Sequence, residues 1–132
     1  MKIRQLLTES ISKEDRETLD EFSDFYEQTI NDAHIFLVMA NKVLPDKLVN
    51  KFYKRIKTIR DRNLAIPHKA ENLDAIDKEL DNLEYHVDKL KMAVSNFYIS
   101  QSSTQSGVFM RAYKAATEDS SEFSKKIVNE IL

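Results

Sequence analysis

Cysteine is absent from this chain of 132 residues, and it holds one glycine and two prolines. Without cysteine there is no disulfide framework, no thiolate zinc site and no thiol nucleophile, which fits a reducing compartment. An average chain carries about 7% glycine and about 5% proline. Sheets and irregular folds consume such turn residues and long helices do not, so the shortage points to an all-helical protein. No apolar run approaches the roughly 18 residues a bilayer span requires. The longest is Ile35-Phe36-Leu37-Val38-Met39-Ala40. Lys2 and Arg4 are not followed by a secretory-type apolar core, so a cytoplasmic protein is expected. Neither sign of charge is in excess: 20 basic against 22 acidic residues give a net charge of −2. Bulk attraction to nucleic acid or to an anionic membrane is therefore weak, and any such attraction must be local.

What is present is periodicity. Apolar residues make up 42% of the chain, enough for the core of one domain of this length. Ser12 is a good N-cap, with Asp15 three residues on as a variant of the capping box. A long helix is predicted over 13–44, its apolar stripe being Leu19, Phe22, Tyr26, Ile30, Ala33, Leu37, Ala40 and Leu44, widened by Phe25, Phe36 and Val43. Pro45-Asp46 ends it and starts a second helix over 46–64, with proline suited to a first turn. Leu48, Val49, Phe52, Tyr53, Ile56 and Ile59 share one face of that helix. Ile66-Pro67 breaks the pattern. A third helix over 69–100 carries Leu73, Ile76, Leu80, Leu83, Val87, Leu90, Val94 and Phe97 in unbroken three-four alternation, a coiled-coil-like heptad seam. A polar connection, 100–107, holds the single glycine. A fourth helix is predicted over 108–131, with Phe109, Tyr113, Ala116, Phe123, Ile127 and Ile131 inward. Residues 1–11 form a short N-terminal segment ahead of the bundle, and 1–132 reads as one domain.

Four helices with short connections predict an antiparallel up-down four-helix bundle with two long and two shorter helices. At 1.5 Å per residue the first and third helices reach roughly 48 Å and the second about 28 Å. The mismatch predicts apolar ends left uncovered, Phe22, Phe25 and Tyr26 at one and Val94 and Phe97 at the other. A second copy or another protein partner would then cover them.

The second helix also concentrates charge. Between Asp46 and Arg62 there are seven Lys/Arg and only two Asp. Lys47, Lys51, Lys54, Arg55 and Arg62 fall opposite the apolar face. These five are candidates for a phosphate backbone, hence for RNA, although no aromatic is interleaved to stack bases. The competing expectation is charge pairing within the fold together with solvation of that face. An up-down bundle lays the end of this helix beside the acidic starts of the first (Glu14, Asp15, Glu17, Asp20, Glu21, Asp24, Glu27) and third (Glu71, Asp74, Asp77, Glu79, Asp81, Glu84) helices. That arrangement also suits the helix dipoles.

Arg62-Asn63-x-x-x-x-His68 resembles the motif of the HEPN superfamily of helical ribonucleases: an arginine, a polar neighbour and a histidine at a helix end. The resemblance implies a dimeric, metal-independent ribonuclease. His68 would act as general acid or base on the 2′-OH, Arg62 would stabilise phosphate charge, and Asn63 would support them. Two departures stand out. Pro67 precedes the histidine where the family often has a small residue, and the motif follows two helices rather than three. The first nine residues, ending Leu7-Thr8-Glu9, resemble the start of internal head proteins of T-even-type tailed phages, in which a prohead protease cuts after a Leu/Ile-x-Glu tripeptide. This implies a phage-encoded protein of the host cytoplasm or virion; the plainer alternative is a short amphipathic helix (Ile3, Leu6, Leu7) docked on the bundle.

Other chemistry is not signalled. His34 and His86 have no carboxylate or histidine three or four residues away, so the Glu-x-x-His pattern of di-iron bundles is missing and no metal site is expected. There is no glycine-rich phosphate loop, and no cofactor is expected. Tyr98 and Phe109 read as packing residues. The sequence thus favours a non-catalytic helical protein that binds or assembles through protein contacts, with a ribonuclease using Arg62 and His68 as the alternative.

Overall fold

The computed structural model describes residues 12–101 and 105–132. Its elements are α1 (Lys13–Val43), α2 (Asp46–Ala65), a short 3-10 helix (Ala70–Asn72), α3 (Leu73–Gln101), α4 (Gln105–Thr117) and α5 (Glu122–Glu130). The all-helical expectation holds among the described residues. The segment containing Leu7-Thr8-Glu9 lies outside them.

The helix boundaries have local causes. The Ser12 hydroxyl accepts from the Asp15 amide at 3.0 Å, so the α1 cap forms where the sequence placed it. Pro45 stands one residue earlier than expected. It is the N-cap of α2, and its carbonyl accepts from the Leu48 and Val49 amides at 3.0 and 3.1 Å. The predicted single fourth helix is two. The break falls at Thr117–Ser121, where side chains compete with the helix for backbone groups. The Thr117 hydroxyl donates to the Lys114 carbonyl at 2.6 Å. Asp119 accepts from the Ser121 amide at 2.9 Å, and the Ser121 hydroxyl then caps α5 by accepting from the Ser124 amide at 3.2 Å.

The split changes the architecture from four helices to five among the described residues, arranged around α1. That helix packs against α2, α3, α4, α5 and the 3-10 helix. Its C-terminal half is accordingly buried almost all round: Ala33, Leu37 and Ala40 are fully buried, as are Val38 and Met39 outside the predicted stripe. The α3 seam is buried from Ile76 to Val94 as its period requires. Two clusters make the core. The larger joins all five helices, and the smaller gathers Leu19, Ile76 and Leu80 with Phe22, Phe25, Tyr26, Ile66 and Leu73.

The expected bare ends are partly covered within the chain, where Phe22, Phe25, Tyr26 and Phe97 are half-buried. Phe22, Phe25 and Tyr26 belong to the smaller cluster. Val94 is fully buried, and Phe97 packs with Tyr98, which meets Phe109 of α4 edge-on at 5.8 Å. Large apolar side chains facing outward include Leu64 beside Phe22 and Tyr26, Tyr85, Met92 and Ile99 along α3, Val108 and Met110 on α4, and Val128 and Leu132 near the C-terminus. Leu48, expected on the core face, is also exposed.

α5 is tied to α2 by polar contacts. The Tyr53 hydroxyl donates to Glu130, Arg60 Nε donates to the Ile131 carbonyl at 2.7 Å, and Phe123 packs edge-on against Tyr53. Arg60 therefore spends its charge on the C-terminal end of α5, where carbonyls lack helical partners. On the other side, His34 Nε2 and the buried Ser124 hydroxyl share a hydrogen bond of 2.9 Å between α1 and α5.

Candidate functional site

α2 and α3 pack through Val49, Tyr53, Ile56 and Ile59 on one side and the α3 seam on the other. Beside this contact each helix presents a polar row at three-four spacing. On α2 the row is Lys51, Arg55, Thr58 and Arg62, with Lys54 alongside. On α3 it is Asn82, His86 and Lys89, each immediately before a seam residue (Leu83, Val87, Leu90). The rows face one another across an open groove. One stretch of about 580 Å³ is lined by Lys51, Lys54, Arg55, Thr58, Ile59, Arg62, Asn82 and His86. An adjoining stretch of about 270 Å³ shares Lys51, Arg55 and His86 and adds Leu48, Phe52 and Lys89. From Lys51 to Arg62 the groove runs about 16 Å along α2.

Neither stretch is lined by a carboxylate. The cations Lys47, Lys51, Lys54, Arg55 and Arg62 are exposed, and among the described residues none of them enters an ion pair. The cross-helix pairs are Lys42–Asp119 at 3.2 Å and Lys91–Asp32 at 2.7 Å, neither involving α2. The ion pairs expected within the fold are not formed by these five among the described residues, and the face is left open to solvent, the other half of that expectation. The reason is rotational. The α3 row that meets α2 is Asn-His-Lys, whereas Glu84 and Asp88 lie on the flank toward α1, around Thr29 and Asp32. Glu84 and Asp88 are near in sequence register but turned away, while Glu79, three residues before Asn82, continues the row and holds its Oε2 buried without a hydrogen-bond partner among the described residues.

The field of the groove is felt by His86. Burial pushes its imidazole below the ordinary histidine value, and Arg55 and Lys89 push it further the same way. At neutral pH it sits in the groove as a neutral ring, able to donate from one nitrogen and accept at the other. Lys89 Nζ stands 4.6 Å over the Tyr85 ring at the rim. The groove thus combines fixed positive charge with neutral donors from Thr58, Asn82 and His86.

Arg62 and His68 are not brought together within one chain. Arg62 lines the groove. His68 and Asn63 line a different cavity, of about 380 Å³, with Phe22, Ser23, Tyr26, Glu27 and Ile76. His68 Nε2 lies 2.9 Å from the Leu19 carbonyl and 3.2 Å from the Ser23 hydroxyl. Asn63 donates through Nδ2 to the Ile59 and Glu79 carbonyls, each at 3.1 Å. Successive helix positions point about 100° apart, so Arg62 faces the groove while Asn63 turns toward the α3 backbone. The Pro67 turn then carries His68 back to α1. In this arrangement Asn63 and His68 fasten the α2–α3 connection.

The sequence pointed to the α2 half of the groove and missed the α3 half. Its signal was available: residues 82, 86 and 89 border the heptad seam, where a neighbouring helix is met. Among the described residues no group of three or more His, Asp or Glu gathers as a metal site would need, and no helix is long and apolar enough to cross a membrane. No protein-family model, curated protein or solved structure matches this chain.

Proposed function

We propose that this protein is a non-catalytic binding and assembly protein that works through protein–protein contacts, holding an acidic partner in the α2–α3 groove. One observation carries the reading: Lys51, Lys54, Arg55 and Arg62 line one groove that contains no carboxylate. Like charges held together without counter-charges weaken the fold that holds them, so their natural complement is an external anion. A protein partner suits the groove better than nucleic acid. Phe52 is its one Phe, Tyr or Trp lining residue and is half-buried, and the Tyr85 and His86 rings meet edge-on, so no row of parallel faces is offered to successive bases.

The test is titration of the chain with fluorescent poly-glutamate, followed by anisotropy. Binding that weakens as salt rises, and that Lys51→Glu/Arg55→Glu abolishes, is the expected result. Binding unaffected by that pair of substitutions, or found only with RNA, overturns the reading. The ribonuclease alternative rests on Arg62 and His68 and needs two copies to bring them together. It has its own test below.

A further inference from the structure

The groove has a counterpart on the same molecule. Glu17, Asp20, Glu21, Asp24 and Glu27 are all exposed on α1. At 100° per residue Glu17, Asp20, Glu21 and Asp24 occupy the side away from Leu19, Phe22, Tyr26 and Ile30, which face the core, and Glu27 lies at the edge of that side, where it also lines the His68 cavity. Among the described residues none of the five enters an ion pair. They span about 15 Å of helix, against about 16 Å for the cationic row of α2. Five carboxylates meet four fixed cations of the groove, with Lys89 at its far end and neutral donors from Thr58, Asn82 and His86. Within one chain the two faces do not meet, because α1 packs on α3 and α2 through its opposite side.

We propose that the occupant of the groove is the acidic first half of α1 from a second copy of this chain, in a reciprocal dimer. This inference rests on the reading of the groove as a site for an acidic partner and names that partner. A two-fold arrangement satisfies both faces at once: the acidic face of each copy enters the groove of the other, so the interface is self-complementary and closes. Each groove is then completed by carboxylates that its own chain cannot supply. The contact is polar, so salt weakens it, and charge rather than apolar area sets its specificity.

The experiment is sedimentation velocity on the full chain, at about 50 mM salt and at about 1 M, where the screening length falls to about 3 Å. The wild type is expected to be a dimer at low salt and a monomer at high salt. Lys51→Glu/Arg55→Glu and Asp20→Lys/Asp24→Lys each place like charges against like, and each alone is expected to self-associate at least tenfold more weakly, a factor of ~10 or more for repulsion across an interface. An equal mixture of the two variants should regain the dimer, because one contact is native and the other has its charges exchanged. All four positions are exposed, and circular dichroism confirms folding of each variant. A wild type monomeric at low salt overturns the proposal without needing any variant. So does a mixture that stays monomeric, or a double variant that dimerises as the wild type does. A monomer that still binds poly-glutamate through the groove overturns the dimer alone and leaves the acidic-partner reading standing. A monomer that binds RNA and not poly-glutamate overturns both.

Discussion

Neutralising Arg55 should make the isolated chain more stable. Arg55 has Lys51 four residues before it on the same helix face and Lys89 across the groove, and no carboxylate lines either stretch of groove it borders. A like-charge pair at this helical spacing costs about 0.2–0.5 kcal/mol. The cross-groove repulsion adds less than the roughly 1 kcal/mol of two charges in contact at about 4 Å in water, before screening. Arg55→Gln, which leaves helix propensity nearly unchanged, should therefore stabilise the monomer by about 0.5–1 kcal/mol. For a domain of this size that is a rise in melting temperature of about 2–4 °C. The measurement is a thermal melt followed by circular dichroism, at a protein concentration where the chain is monomeric, in low and high salt. The gain should fade at high salt, and Arg55→Lys should show none. A second readout is the His86 imidazole followed by NMR. Arg55 is one of the charges holding its pKa down, so the variant's titration should move upward. A melting temperature that falls, with the fall shrinking in salt, would mean that Arg55 has an acidic partner within the fold and would refute the reasoning. Under dimerising conditions the sign should reverse, since the variant forfeits binding to the second copy.

The seam of α3 offers a check on the core: Leu90 is fully buried, and Leu90→Ala should cost about 2–5 kcal/mol in chemical denaturation. Stability should also fall as pH drops below about 6.5. Burial lowers the His34 pKa, partly opposed by Asp119, and burial with Arg55 and Lys89 lowers that of His86. The unfolded chain then binds protons first, so this stability is complete above the unfolded value and is lost as pH falls through the folded ones. His34→Gln should flatten that slope in denaturation curves between about pH 7 and pH 5. For the ribonuclease alternative, wild type and His68→Ala should be alike in leaving RNA uncut, and cleavage by the wild type alone would reinstate it.

Legibility in the sequence followed the reach of the signal. The α3 seam was readable because one helix repeats one pattern for eight apolar positions, and a helix can bury a single stripe only against neighbours. The Ser12 cap was readable because a cap is made by residues three apart. The break at Thr117–Ser121 was written in Asp119 and Ser121 but hidden by the apolar positions Phe123, Ile127 and Ile131, which continue a helical pattern across it. The cluster of cations on α2 was likewise visible, whereas its relation to the acidic helix starts was misjudged. Adjacency along a bundle does not say which flank of a helix meets its neighbour.

Composition and periodicity by themselves determined an all-helical chain, the seam that α3 buries, and a row of cations on one face of α2. Those properties depend on spacings within a single helix. Tertiary structure decided the rest: that α1 is central, that α3 offers Asn82, His86 and Lys89 to the cations rather than Glu84 and Asp88, and that Arg62 and His68 enter different cavities. Each outcome turns on how one helix is rotated against another, and a rotation of about 200°, two residues' steps, exchanges a carboxylate (Glu84 or Asp88) for the His86 imidazole across the groove.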